Sequence, residues 1–306
     1  VSAALSTIFQ IHRQEDELDD VKLTNGHVTT PVEQEQSAAM NGHANRRPPI
    51  GGDIIVFCTG QDEIESMIKT VIDLAPQLNS FKTRSGHSKT LKAYPLYSAL
   101  PNAIQQRIFT RNPDDCFRRV IFATNIAETS VTIPNIRFVI DTGKVKSRIY
   151  VPNTGVEVMQ VEDISRAQAC QRSGRAGRIA PGQCYRLYTK RDYKQMKPFP
   201  VPEIQKCNLS NVLLQLMAIG IQDVAQFDFV DPPAKENIVA SIEALLSLKA
   251  SKPMCGSATI TSPLASADNN GNTDNTPNLF QLTDIGRKMV TFPVVPRYAA
   301  LIIASK

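Results

Sequence analysis

The chain has 306 residues, of which 42% are hydrophobic, and its 34 basic and 29 acidic residues give a net charge of +5. This composition indicates a globular protein with a real core and about two domains, and the mild positive charge favours anionic partners. The chain has no apolar stretch of about 20 residues, which excludes an ordinary membrane-spanning helix. Six scattered cysteines without CxxC spacing argue against a zinc site or a disulfide framework and favour a reducing, intracellular compartment.

The N-terminal segment begins with apolar residues at helical spacing and has no initiator Met, so we expect a fragment of a larger protein. Apolar periodicity then disappears from residue 14 to residue 52, where acidic residues, Asn, Gln, Pro and Gly dominate. Such a segment cannot bury enough apolar surface to fold alone. We interpret residues 14–52 as a disordered insertion.

Short apolar runs alternate with helical patterns in the next part of the chain. Continuous apolar runs are typical of strands covered on both faces, and their alternation with helices predicts a parallel α/β sheet. Ligands gather at the carboxyl ends of such strands, where Thr59, Gly60, Thr124 and Asn125 lie. The predicted strands are residues 54–58, 94–97, 120–123, 138–141 and 184–188.

Residues 143–162 contain two strand-like runs around a turn at residues 152–155, which predicts a projecting β-hairpin. Lys144, Lys146 and Arg148 alternate along its first strand and point to one side. A solvated face and a nucleic-acid contact explain this spacing equally well.

Residues 171–178 (QRSGRAGR) are the most distinctive segment of the chain. A helix continuing from residue 164 through this segment would place one amide and two guanidinium groups on one face. Gly174 and Gly177 inside that helix would let a polyphosphate or another surface approach the backbone, and guanidinium forks suit phosphate oxygens. The alternative is an exposed basic helix held by surface ion pairs. The residues that share the predicted face are Gln171, Arg175 and Arg178.

The strand and helix alternation stops near residue 203. The pattern that follows predicts a compact winged-helix-like module of helices with one small strand. Its predicted elements are a helix capped by Asn208 and ended by Gly220, a helix over 235–248, a loop insertion over 255–278, a strand over 279–282 and a helix capped by Thr283.

Several of these segments resemble the motifs of the DEAH-box RNA helicases, beginning in their second RecA-like domain. The segments are residues 53–65 (motif IV), 124–133 (motif V), 171–178 (motif VI), 202–209 and 227–229 (winged-helix domain), and 282–287 and 292–293 (towards the ratchet domain). The predicted fold class is therefore α/β, with a RecA-like parallel-sheet domain and a projecting β-hairpin, followed by a mostly helical winged-helix domain and the start of a helical ratchet domain. The predicted divisions are the end of an inter-domain segment (1–13), the insertion (14–52), the RecA-like domain (53–190), the winged-helix domain (191–292) and the ratchet start (293–306).

The resemblance implies ATP-driven translocation on RNA, with ATP held between two RecA-like domains. Arg175 and Arg178 resemble the arginine fingers that stabilise charge on the transferring γ-phosphoryl group. Gln171 resembles the residue that helps to position the attacking water. Arg172 lies off their face, and we expect it to form a structural ion pair.

Three further residues resemble nucleotide-site positions. Phe109 resembles the aromatic residue that stacks on adenine, although its apolar spacing alone would place it in the core. Ser130 resembles the motif V serine that couples the nucleotide site to the RNA track, and a helix N-cap is compatible with that role. Thr132 resembles a ribose-side contact, which is weakened here because Pro134 stands where many members carry Asp.

The RNA-binding positions implied by the resemblance are Thr59, Gly60, Thr124 and Asn125. Each contacts the sugar-phosphate backbone in the family, and turn or capping roles are the alternative. The hairpin resembles the family's strand-separating wedge.

The chain contains neither a GxxxxGK[ST] phosphate loop nor a DEAH run. Both belong to the first RecA-like domain, which we expect before Val1 together with the ligands for Mg²⁺. The implied partners are RNA, ATP, that first domain and an activating protein, with no membrane, in an intracellular and preferably nuclear or nucleolar location. Alternatives are a non-catalytic RNA-binding scaffold and a DNA-directed helicase of the same superfamily.

Overall fold

The computed structural model describes residues 1–24, 52–79, 90–110, 117–129, 132–152, 154–178, 181–224, 227–254 and 279–305. The chain forms two compact units, Val1–Lys146 with Val161–Pro200 and Ser147–Gln160 with Val201–Lys306. The predicted insertion at 255–278 lies outside the described residues.

The first unit contains a parallel sheet with helices on both faces. Its elements, with the whole hairpin included, are α1 (Ser2–Thr24), β1 (Asp53–Phe57), α2 (Gln61–Asn79), β2 (Thr90–Leu96), α3 (Asn102–Phe109), β3 (Phe117–Ala123), α4 (Ile126–Thr129), β4 (Ile136–Asp141), β5 (Lys144–Val151), β6 (Val156–Asp163), α5 (Arg166–Ser173), β7 (Gln183–Arg186) and α6 (Lys190–Gln195).

In the described residues the sheet has the strand order β2-β3-β1-β4-β7, and all neighbouring pairs are parallel. The central strand β1 pairs Ile55 with Ile121 of β3 and with Val139 of β4. Every residue of β1 is buried, as its continuous apolar sequence predicts. The α/β parallel-sheet prediction is therefore confirmed.

Alternate residues of β1 enter two separate cores. Ile54 and Val56 pack with α1 and α2, whereas Ile55 and Phe57 pack with α3 and α4. This follows from the two-residue period of a strand, which sends successive side chains to opposite faces. The described helices thereby cover both faces of the sheet, and the strand ends are where parallel sheets bind ligands.

Helix α1 corrects one prediction made from the sequence. Residues 14–24 continue this helix, so the expectation of disorder is wrong for them, and residues 25–51 lie outside the described part of the chain. Ala4, Ile8 and Ile11 are buried against the sheet, and this packing stabilises the first part of the helix.

The second unit is mostly helical. In addition to residues Ser147–Gln160 of the hairpin, it contains α7 (Ser210–Ala218), α8 (Lys235–Ser247), β8 (Ser251–Pro253), β9 (Phe280–Leu282), α9 (Asp284–Val290) and α10 (Pro296–Ala304). Leu213, Leu245, Phe280 and Met289 lie in its core. Thr283 caps α9 by accepting a hydrogen bond from the Gly286 backbone, as predicted.

Strand β8 was not predicted, and it pairs antiparallel with β9. Its three residues are too few to show a strand period. The Asn208 cap acts one residue earlier than a standard N-cap, because its Oδ1 accepts from the Ser210 N–H at 2.8 Å while Leu209 occupies the cap position. Within the described residues, no helix combines the length and the apolar character needed to cross a bilayer.

Candidate functional site

The candidate residues occupy opposite edges of the parallel sheet. One group follows the ends of β1 and β3, and we call it the carboxyl-edge cluster. The other group lies beside the starts of β3 and β4, and we call it the amino-edge cluster. A five-residue strand separates the two edges by about 16 Å. The carboxyl-edge cluster is Thr59, Gly60, Thr124 and Asn125, and the amino-edge cluster is Phe109, Thr132, Arg175 and Arg178.

The segment of motif VI is not a continuous helix. Helix α5 starts at a capping box between Ser165 and Gln168 and ends at Ser173, with Gly174 as its C-cap. Gly177 has a φ of +82°, a left-handed conformation that glycine adopts readily. The predicted helical face is therefore wrong, because the two glycines end the helix instead of lying inside it.

Motif VI nevertheless brings its candidate residues together. Gln171 is exposed on the last turn of α5, and its carbonyl accepts a hydrogen bond from Arg175 Nε at 3.4 Å. Arg178 donates from its guanidinium to the hydroxyl of Thr132, which lies just before β4. Arg178 and Thr132 are exposed, and Arg175 is half-buried.

Arg175 and Arg178 are close enough to repel each other. Partial burial and, next, the positive charge of Arg178 lower the pKa of Arg175, while the carboxylate of Glu128 acts in the opposite direction. Two guanidinium groups in this arrangement favour a bound anion, because it relieves their repulsion and accepts hydrogen bonds from both. The amino-edge cluster is therefore chemically suited to a polyphosphate.

A buried arginine connects Phe109 to the rest of the amino-edge cluster. Arg119 donates to the carbonyls of Ile108 (2.9 Å), Thr110 (3.4 Å) and Pro134 (3.1 Å), and it pairs with Asp53 at 2.8 Å. It therefore joins the backbone on both sides of Phe109 to the segment that carries Thr132. The Phe109 ring packs partly against the sheet core, which agrees with its apolar spacing and leaves its role toward adenine untested.

Arg172 forms the structural ion pairs predicted for it. Its guanidinium lies 2.8 Å from Glu128 Oε1 of α4 and 2.8 Å from Asp141 Oδ1 at the end of β4. It also donates to the Lys144 carbonyl at 3.1 Å and covers the Phe57 ring at 4.7 Å. Arg172 therefore ties motif VI to motif V and to the end of β4.

Asp141 has a second partner in the half-buried Tyr188. The Tyr188 hydroxyl donates to Asp141 Oδ2 at 2.8 Å, and burial together with the charge of Asp141 raises the pKa of Tyr188. The phenol therefore stays protonated and keeps donating to Asp141. Burial, with the nearby charge of Asp141, also raises the pKa of Cys184 to about 11, so this thiol is not a nucleophile at neutral pH.

The carboxyl-edge cluster has fewer donors for a ligand than its sequence indicates. The backbone N–H and the hydroxyl of Thr59 both donate to Glu63 Oε2, at 2.7 and 2.8 Å, and the Thr124 N–H donates to the Leu96 carbonyl at 3.0 Å. Thr59 is thus held by the Glu63 side chain of α2. A ligand contact by Thr124 would use its half-buried hydroxyl, whereas the Asn125 side chain is exposed.

The basic side chains of the hairpin alternate as predicted, and most of them are paired. Lys144 contacts Asp163 at 2.6 Å, and Arg148 contacts Glu157 at 3.4 Å. Lys146 instead lies beside Gly60, since a Cβ added to Gly60 would be 3.7 Å from Lys146 Cδ. Of the three basic residues, Lys146 is therefore the one placed at the carboxyl-edge cluster.

Replacing Gly60 by alanine should leave the fold intact and weaken RNA binding about 3- to 10-fold. The added methyl group meets only ordinary contacts, so the melting temperature should stay within about 2 °C, but the methyl group would obstruct a phosphate approaching the backbone. Fluorescence anisotropy with single-stranded RNA measures the affinity. Gly155→Ala is a control with open space and a strained φ of +65°, which should affect stability more than affinity. Unchanged RNA affinity of Gly60→Ala would remove Gly60 from the site.

The structure leaves one candidate untested and adds others. Ser130 lies outside the described residues. Glu128, Arg119 and Gly182 were not singled out from the sequence, although charged residues inside an apolar strand pattern could have indicated Arg119. A Cβ on Gly182 would lie 2.6 Å from the Arg137 carbonyl and 2.8 Å from Ala176, so glycine permits motif VI to approach β4. Among the described residues, no group of three or more His, Cys, Asp or Glu side chains could hold a metal ion.

Comparison with known proteins places this geometry in a defined class. Residues 47–180 match the helicase conserved C-terminal domain. Over 261 residues the chain is 41% identical to mouse ATP-dependent RNA helicase DHX33, covering 85% of this chain and 33% of that protein. It is 42% identical to the fission yeast pre-mRNA-splicing factor ATP-dependent RNA helicase prp22, covering 83% of this chain and 19% of the relative.

A solved structure agrees with these matches. The crystal structure of the E. coli DExH-box NTPase HrpB has a TM-score of 0.63 and 28% identity, covering 84% of this chain and 27% of that one. The parallel sheet and these matches thus define a RecA-like helicase C-terminal domain. These matches support the C-terminal region of the DEAH-box RNA helicases, as the resemblance predicted, and the chain spans about a third of the length of mouse DHX33.

Proposed function

We propose that this chain is the carboxyl-side part of an ATP-dependent RNA helicase, which supplies arginine fingers and half of the RNA track. The observation that supports this most is the amino-edge cluster. In it, Arg178 contacts Thr132, and the positive charge of Arg178 lowers the pKa of the nearby Arg175. The relatives described above are named ATP-dependent RNA helicases.

The amino-edge residues fit the phosphates of ATP. Bound ATP with Mg²⁺ supplies the γ-phosphoryl group whose transfer to water releases the energy for translocation. Arg175 and Arg178 hold fixed positive charge where negative charge develops, which stabilises the transition state more than the ground state. Gln171, on the helix end beside Arg175, orients the attacking water. Phe109 stacks on adenine, Thr132 contacts the ribose, and Ser130 couples the nucleotide site to the RNA track. The Mg²⁺ ligands are proposed for the first RecA-like domain.

The carboxyl-edge cluster forms the proposed RNA track. Thr124 and Asn125 offer a hydroxyl and an amide, and Gly60 allows close approach of a phosphate, which suits contacts that do not depend on base sequence. Thr59 holds this turn against α2 through its two hydrogen bonds to Glu63. The hairpin is proposed as the strand-separating wedge, and the second unit as a winged-helix domain (191–292) that leads into a ratchet domain (293–306).

Location and partners follow from the same proposal. We place the protein inside the cell, preferably in the nucleus or nucleolus, since one relative is named a pre-mRNA-splicing factor. Its partners are RNA, ATP, the first RecA-like domain and an activating protein.

The proposal predicts that the isolated 306-residue chain does not hydrolyse ATP, whereas the full-length protein does so faster with RNA than with DNA of matched sequence. Phosphate release from both proteins, with and without each nucleic acid, is the measurement. RNA-stimulated hydrolysis by the isolated chain would contradict the assignment of the phosphate loop to another domain. RNA binding without hydrolysis by the full-length protein would support a scaffold, and equal stimulation by DNA would support a DNA-directed helicase.

A further inference from the structure

We propose that Arg172 is a positioning residue that couples the two edge clusters, so that RNA held at Thr124 and Asn125 sets the positions of Arg175 and Arg178. This inference rests on the proposed function and assigns a role to a side chain that touches neither ligand. Arg172 is completely buried, with 0% of its surface exposed, so it acts through its neighbours and not on a substrate.

The connection begins at the carboxyl edge. Helix α4 starts directly after Asn125, and the Glu128 N–H donates to the Asn125 carbonyl at 2.9 Å. The Glu128 carboxylate is buried and bonded to Arg172, with Nε 2.8 Å from its Oε1. A displacement of Asn125 on binding RNA therefore moves the carboxylate that holds Arg172.

The connection continues along motif VI to the amino edge. The Arg172 carbonyl accepts a hydrogen bond from the Arg175 N–H at 3.0 Å, in the turn that ends α5. Arg175 is thus held by the backbone of the same residue whose side chain is held by Glu128. Three short contacts connect Asn125 to Arg175.

Asp141 gives this connection a fixed reference point. It lies at the end of β4, where Arg172, the Gly143 N–H and Tyr188 all bond to its carboxylate. A planar guanidinium can bond to both carboxylates and to the Lys144 carbonyl together, which a lysine ammonium on a flexible stem does poorly. Arg172 therefore transmits movement of α4 relative to the sheet, and does not simply attach one helix to another.

The test compares ATP hydrolysis with and without saturating RNA in the full-length protein. Glu128→Gln removes the charge that holds Arg172 and keeps the side-chain size. We expect the ratio of RNA-saturated to RNA-free turnover to fall about 10-fold, with the RNA dissociation constant changed less than about 3-fold. Arg172→Lys keeps the charge without the planar fork and should lower the ratio in the same direction. Glu128→Gln decides the outcome if Arg172→Lys does not fold.

A buried arginine outside these contacts provides the control. Arg118 is buried in the same unit and donates to the Ile11 carbonyl at 3.4 Å. Arg118→Lys should lower the melting temperature and reduce both rates by the same factor. If Glu128→Gln left the ratio of RNA-saturated to RNA-free turnover unchanged, the coupling role would be overturned and the helicase function would stand. A wild-type protein that RNA does not stimulate would overturn both.

Discussion

Replacing Arg175 by alanine in the full-length protein should lower the turnover number for ATP about 1,000-fold or more, with ATP affinity changed only a few-fold. The guanidinium is held beside Arg178 in a site with two positive charges, where its benefit is greatest as negative charge develops on the γ-phosphoryl oxygens. Loss of an interaction made mainly in the transition state lowers kcat more than it weakens binding. Single-turnover hydrolysis and binding of a fluorescent ATP analogue measure the two effects.

Two further variants make the Arg175 result specific. Arg175→Lys keeps the charge but not the planar fork, so it should recover only a small part of the lost turnover. Arg297→Ala removes an exposed arginine from α10 of the second unit and should leave turnover unchanged. Normal turnover by Arg175→Ala would rule out its role as an arginine finger.

Replacing Arg172 by methionine should destabilise the first unit by about 3–5 kcal/mol. Methionine fills part of the space, but it leaves Glu128 without its guanidinium partner and Asp141 with only neutral donors, in a region closed to water. Hydrogen exchange at the amides of β1 and β4 reports the stability of this unit separately from the second one. We expect protection at these amides to fall by more than two orders of magnitude.

An exposed ion pair in the same unit is the matched control. Lys144 and Asp163 contact each other at 2.6 Å, but their side chains are 51% and 66% exposed. Lys144→Met should therefore cost less than about 1 kcal/mol. Equal losses of stability in Arg172→Met and Lys144→Met would show that burial does not explain the contribution of Arg172.

The sheet could be predicted because its information is local. Each strand is a short apolar run bounded by turn residues, and the alternation of runs with helical patterns is enough to imply parallel pairing. Motif VI could not be predicted in the same way. The spacing of Gln171, Arg175 and Arg178 fits a helix, but Gly174 caps the helix before Arg175, and the left-handed Gly177 lies in the turn beyond it.

The contacts that join the parts of the site could be predicted even less well from the sequence. Arg172 and Glu128 are 44 residues apart, and Arg119 and Asp53 are 66 residues apart. No local pattern joins such pairs, since they meet only after the strand order of the sheet is known. The separation of the two clusters onto opposite edges has the same origin, because the general rule for parallel sheets indicates only the carboxyl edge.

The three carbonyls bonded by Arg119 belong to two separate segments, the end of α3 and the stretch before β4. Because one guanidinium holds Ile108, Thr110 and Pro134, the end of α3 cannot loosen without releasing the segment before β4. Local opening at this edge is therefore a single cooperative event, not two independent ones. If Phe109 and Thr132 contact the nucleoside as proposed, each lies on a segment that Arg119 already orders, so the entropy of ordering both segments is lost on folding and not on nucleotide binding.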